Sequence, residues 1–165
     1  MKDTSQQGLI SQTAILNRLV QLGFEVLLPW ADHLGYDLAY YIVEEYRNFG
    51  FFVHQEARLI RVQCKTAWLS KDGTYLMFNT STVSPRKIGP NKKSGYRGKA
   101  DFFVVYSPDT GKIYKVAVDE APIGAVNLRF KGAGIMRGGR HHMYNVPYEA
   151  IENKDAYTWA EDCEI

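Results

Sequence analysis

Near the start of the chain, apolar residues recur every three to four positions. Ile15, Leu16, Leu19 and Val20 share one side of a helix capped near Ser5 and running to about Leu22, where Gly23 is a natural stop. Gln12 stands three, four and seven residues before Ile15, Leu16 and Leu19 and so lies on the inward side, where a buried amide needs partners. The period then shortens. Phe24–Leu28 reads as a strand ended by Pro29, and Tyr36–Ile42 as a second, largely apolar one. Residues 43–57 leave two readings open, a long hairpin or a short helix followed by a strand. Arg58–Ala67 alternates cleanly. Val62 and Cys64 point to one face while Arg61, Gln63 and Lys65 point to the other.

A turn at Lys71-Asp72-Gly73 leads to a strand over Thr74–Phe78. Phe102–Tyr106 and Ile113–Val118 flank Ser107-Pro108-Asp109-Thr110-Gly111, a strong hairpin signal. Val126–Phe130 adds a strand, and Tyr148–Asn153 starts a short helix after Pro147. These elements predict an α/β fold, a helix against a mixed sheet with a more irregular second half.

With 165 residues, 45% of them apolar, the chain suits one domain with a real core and is too apolar for disorder. Its net charge of +2 hides an uneven distribution. Arg86, Lys87, Lys92, Lys93, Arg97 and Lys99 fall within fourteen residues that hold no acid, and Arg129, Lys131, Arg137 and Arg140 form a second basic group beside His141. Such clustering suits contact with a polyanion more than even solubilisation. The second group's glycines match no phosphate-binding nucleotide loop, and His141-His142 lacks further ligands at metal spacing, which leaves DNA contact or plain surface. Cys64 and Cys163 make neither a disulfide framework nor a metal cluster. The first residues do not resemble a signal peptide and no stretch approaches transmembrane length, so the expected setting is reducing and intracellular, in cytoplasm or nucleoid.

The candidate chemistry lies on the alternating strand. If it neighbours the Tyr36–Ile42 strand, the Asp37 carboxylate, the Gln63 amide oxygen and the Lys65 ammonium converge at one sheet end. Oxygens of that kind, with the Cys64 backbone carbonyl as a further ligand, suit a hard dication. Lys65 would orient or deprotonate an attacking water and offset developing negative charge. The bland alternative is the wet face of an edge strand. Trp30, Trp68 and the Phe51-Phe52 pair read as core or subunit-contact residues, and Asp101 as a polar residue opening the next strand.

The ordered string Gly8-x-x-x-Gln12, Gly23-Phe24-Glu25-Val26, Pro29, Tyr36-Asp37-Leu38, Arg61-Val62-Gln63-Cys64-Lys65-Thr66-Ala67 resembles the PD-(D/E)XK nuclease superfamily. Within it the likeness is to the small homing endonucleases of bacterial group I introns, and Tyr96–Tyr106 is similar to the segment that follows the core in those proteins. The resemblance spans about residues 8–118 of a single 1–165 domain. It implies a restriction-endonuclease-like core and Mg²⁺-dependent, site-specific cleavage of double-stranded DNA, with Mn²⁺ as a substitute. DNA-contacting segments would lie at about 85–99 and 129–142.

The resemblance also assigns roles. Asp37 would ligate the metal, Gln63 would stand where Asp or Glu is usual, and Lys65 would be the motif lysine. Gln12 takes the place where the first helix often offers a glutamate, either natively or through a Glu→Gln replacement. With glutamine at both places, Asp37 is the only side-chain carboxylate of the set, which leaves open a weak or inactive DNA-binding protein of the same fold. Restriction, junction and repair nucleases are further alternatives. Cutting both antiparallel strands calls for a second centre or for reorientation. A homo-oligomer is expected, a dimer or tetramer, with Tyr46–Phe52 offering apolar contact surface, against the alternative that these aromatics complete one core and the protein nicks as a monomer.

Overall fold

A computed structural model describes residues 4–48, 52–84 and 92–129. The opening period becomes α1, Thr4–Gln21, which buries Ser11, Ile15 and Leu19, one residue per turn along one stripe. Gly23 follows it with φ 85°, a conformation that only glycine adopts without strain.

Strands β1 (Val26–Leu27), β2 (Leu38–Asn48) and β3 (Phe52–Thr66) follow. Residues 43–48 and 52–57 are therefore the far part of a long hairpin and hold no helix. Leu38 pairs with Val62 and Asn48 with Phe52 in an unbroken antiparallel register. Beyond them come β4 (Trp68–Leu69), β5 (Tyr75–Asn79), β6 (Thr82–Ser84), β7 (Lys92–Ser94), β8 (Phe102–Ser107), β9 (Lys112–Ala117) and β10 (Ala125–Arg129).

The main sheet has the order β1-β2-β3-β8-β9, parallel only between β3 and β8. The crossover joining that parallel pair carries β4 to β7. A three-stranded sheet, β10-β5-β4, stands apart from the main one, and β6 with β7 makes a two-stranded ribbon.

Alternation gives each face of the main sheet its own core. On one face Leu38, Tyr40, Ile60, Val62, Phe102 and Val104 pack with Ile15 and Leu19 of α1. On the other, Phe103, Val105, Tyr114 and Val116 pack with Leu76, Phe78, Val126 and Leu128 of the smaller sheet. The polar residues of β3 belong to this second face, so they do not form the wet side of an edge strand. Gln63 is only 8% exposed. Trp30, by contrast, is fully exposed, which overturns its reading as a core residue. The expected helix at Tyr148–Asn153 lies outside the described residues.

Candidate metal-dependent active site

Asp37 immediately precedes β2, and its backbone N–H donates to the Val62 carbonyl, 2.8 Å. That bond extends the β2–β3 ladder by one step and sets the Asp37 side chain beside Gln63, on the face opposite Leu38 and Val62. One Asp37 carboxylate oxygen accepts from the Gln63 amide and from the Cys64 backbone N–H at 2.8 Å. Gln12, half-buried on α1, donates to the Asp37 backbone carbonyl at 3.4 Å. The Ser11 and Thr66 hydroxyls meet at 2.6 Å and tie this turn of α1 to the end of β3. Two residues of β3 thus meet the Asp37 carboxylate, and the first helix holds the Asp37 backbone.

Lys65 continues the same face of β3. Its ammonium donates to the Tyr96 hydroxyl at 2.9 Å and stands 4.4 Å from that ring's centroid. Cys64 turns toward α1, among residues of the first core. Burial above all, and then the negative charge of Asp37, push its thiol far above its ordinary pKa against the opposing pull of Lys65. The thiol stays protonated and contributes packing, while its backbone serves Asp37.

Asp101, read from sequence as a mere strand opener, is a structural hub. Its carboxylate accepts from the Arg61 backbone N–H at 2.7 Å, from Nε at 3.2 Å and from Nη2 at 2.9 Å. Arg61 Nη1 reaches the Gly98 carbonyl at 2.8 Å, fixing the turn that carries Arg97 and Lys99. The signal was available: an arginine on an inward-facing strand position, two residues before a buried glutamine, demands a carboxylate partner.

Partial burial pushes the Asp101 carboxyl upward. The hydrogen bonds and charge of Arg61 outweigh it and hold the pKa below the ordinary aspartate value. A depressed carboxyl stabilises the fold above its unfolded pKa and loses that contribution as pH falls through the folded one. Asp101→Asn should therefore cost about 1–2 kcal/mol near neutral pH, discounted for the partial exposure of the pair. In urea titrations run across pH, the gap from wild type should begin to narrow below about pH 4 and close only below the depressed pKa of the folded carboxyl.

Of the expected DNA-contacting residues, Lys93, Arg97 and Lys99 are exposed. Arg97 Nη2 donates to the Asp119 carbonyl at 3.0 Å. The Lys99 chain lies over Gly35, φ 79°, where an added Cβ would sit 2.7 Å from Lys99 Cδ. Lys92 falls in β7 and Arg129 in β10, and the side chains of both lie outside what is described, as do residues Arg86, Lys87, Lys131, Arg137, Arg140 and His141.

A hard dication could be held here by the Asp37 carboxylate and the Cys64 carbonyl, joined by the Gln63 and Gln12 amide oxygens once those amides, which now turn their nitrogens toward Asp37, are reversed. All are oxygens, and one carboxylate with water and phosphate oxygens is an ordinary Mg²⁺ environment. Among the described residues no group of three or more His, Cys, Asp or Glu able to hold a metal occurs, at Asp37 or elsewhere.

The sequence pattern described as PD-(D/E)XK endonuclease matches residues 2–142. Among solved structures, that of a bacterial homing endonuclease, I-Ssp6803I, superposes with a TM-score of 0.60 at 26% identity, over 84% of this chain and 85% of the other. No curated protein sequence matches significantly. Among the described residues no helix is long and apolar enough to cross a membrane.

Proposed function

That the chain belongs to the PD-(D/E)XK endonuclease family is the premise from which we propose that it hydrolyses phosphodiester bonds in double-stranded DNA at specific sites, as a homing endonuclease. The observation that carries this reading is the meeting of Asp37, Gln63 and Lys65 on one face of two adjacent strands. Asp37 and Gln63, with the Cys64 carbonyl and Gln12 beside them, would hold Mg²⁺, or Mn²⁺ in its place. Bound there, the ion supplies Lewis acidity to the phosphate and acidifies its water.

The protein's own residues do the rest. Asp37 is held by the Cys64 N–H and the Gln63 amide, so its carboxylate is oriented before substrate arrives. Gln63 presents its amide nitrogen to Asp37 and must turn the amide to offer oxygen instead. Lys65 sets a positive charge on the same face to offset charge building on the phosphate and to orient the attacking water. The second core covers part of this face and keeps bulk water from weakening these interactions.

The neutral amides of Gln12 and Gln63 favour one rival, a DNA-binding protein of this fold without turnover. Both readings require duplex affinity that falls steeply with salt, carried by Lys93, Arg97, Lys99 and the remaining basic residues. Selection of cut sites from a random duplex library tests the specific role. One long preferred site supports homing, preference for branched DNA points to junction resolution, and absence of any cut product favours the binder.

Two active centres for two strands call for a second copy. Tyr41 and Val43 of β2 and Leu59 of β3, respectively 45%, 61% and 37% exposed, lie on the Asp37 face of the β2–β3 hairpin and supply an apolar stripe for it. The stretch first expected to do so, Tyr46–Phe52, lies in part outside the described residues.

A further inference from the structure

We propose that Tyr96 is a positioning residue for Lys65, holding its ammonium on the Asp37–Gln63 face; the inference rests on the reading of Lys65 as the cation of the reaction. A lysine ends in a compact charge on a flexible four-carbon stem, so nothing in its own chemistry fixes where the charge sits. Two contacts with one tyrosine fix it here. The ammonium donates to the phenol oxygen at 2.9 Å and lies 4.4 Å from the ring centroid, within the range at which the π face attracts a cation.

The tyrosine is itself anchored from two sides. Its ring meets Phe103 edge-on, centroids 5.5 Å apart at 86°, and Phe103 meets Phe78 at 5.8 Å and 63°. Phe103 is also the residue opposite Gln63 in the parallel β3–β8 register, so the residue supporting Tyr96 neighbours the one that holds the Asp37 carboxylate. On the backbone side, the Tyr96 carbonyl accepts from the Lys99 and Ala100 N–H groups at 2.9 and 3.1 Å. A row of aromatic rings therefore runs from the interior of the second core to the Lys65 ammonium. The position of that charge is set when the core packs and not when substrate binds.

Tyr96→Phe removes the hydroxyl and keeps the ring, and Tyr96→Leu removes both. Single-turnover cleavage of duplex DNA in Mg²⁺ should slow about tenfold in Tyr96→Phe and further in Tyr96→Leu, with duplex affinity unchanged. In a Lys65→Ala background the Tyr96 substitutions should change the rate by less than about twofold, because the group they position is gone. A readout without turnover is the NMR shift of the Lys65 side-chain methylene next to the ammonium, assigned by its loss in Lys65→Arg. The ring should displace it in wild type and in Tyr96→Phe relative to its position in Tyr96→Leu, where the ring is gone. If Tyr96→Leu fails to fold, Tyr96→Phe with its intact ring still carries the kinetic test.

An undisplaced wild-type resonance overturns the proposal. So does an equal rate loss from the Tyr96 substitutions with and without Lys65. Wild-type protein that binds duplex but never cuts, with the resonance still displaced, overturns the nuclease reading and the catalytic role of the pair with it. The retained ring shift identifies that outcome as distinct from a missing contact.

Discussion

Lys65→Ala is expected to slow Mg²⁺-dependent cleavage of duplex DNA by about 100- to 1,000-fold, the usual effect of deleting a charge aimed at a developing oxyanion. The side chain is half-buried and its ammonium is committed to Tyr96, so its loss removes one hydrogen bond and a ring contact without opening the core. Thermal unfolding should therefore move little while the rate collapses. Duplex affinity should also hold, because the exposed Lys93, Arg97 and Lys99 remain. A large drop in melting temperature would assign Lys65 to the fold and not to the chemistry.

Gln12→Glu is expected to act in the opposite direction. Gln12 donates to the Asp37 backbone carbonyl, and glutamate would lose that bond and bring a second negative charge near the Asp37 carboxylate. Without metal, the two carboxylates repel and the variant should melt below wild type. With a dication, the added charge binds it and the order should reverse. Replacing Mg²⁺ with Ca²⁺ separates the metal's effect on stability from turnover. In Mg²⁺ the cleavage rate of Gln12→Glu should rise about tenfold or more, since a carboxylate contributes charge that an amide lacks. A variant that melts lower with and without metal would show that Gln12 stands outside the metal's reach.

The sequence carried the local part of this architecture well. Period two over Arg58–Ala67 placed Val62 and Cys64 opposite Arg61, Gln63 and Lys65, and the structure keeps that division. Asp37 could be matched to Gln63 because a strand starting at Tyr36 or Leu38 and pairing with Arg58–Ala67 brings them side by side. The extent of the hairpin was less legible. Gln55 and Glu56, which pair with Glu45 and Glu44, are exposed, so packing enforces no alternation on them and the pattern favoured neither strand nor helix.

Long-range partners were the hidden part. Nothing local says that Phe102–Ser107 lies parallel to β3, and that pairing brings Asp101 to Arg61 and the Tyr96 ring to Lys65. Nothing local marks Tyr96, between the cations of residues 92–99, because its chemistry depends on a neighbour 31 positions away. Of the two readings of Trp30, core or subunit contact, only the core one fails. Size and apolarity argue for burial on average, but its position between β1 and the short helical turn at Asp32–Leu34 leaves it in solvent.

The most direct test of the central claim, that the face shared by Asp37, Gln63 and Lys65 is a metal-dependent phosphodiesterase centre, is cleavage of supercoiled plasmid carrying a selected site by wild type and Asp37→Asn, each in Mg²⁺ and in EDTA. Asparagine preserves shape and an oxygen acceptor for the Cys64 N–H but removes the set's only carboxylate charge. The account predicts nicked and linear product from wild type in Mg²⁺ alone, and intact plasmid in the other three reactions. Equal cutting by Asp37→Asn, or cutting that survives EDTA, would contradict it.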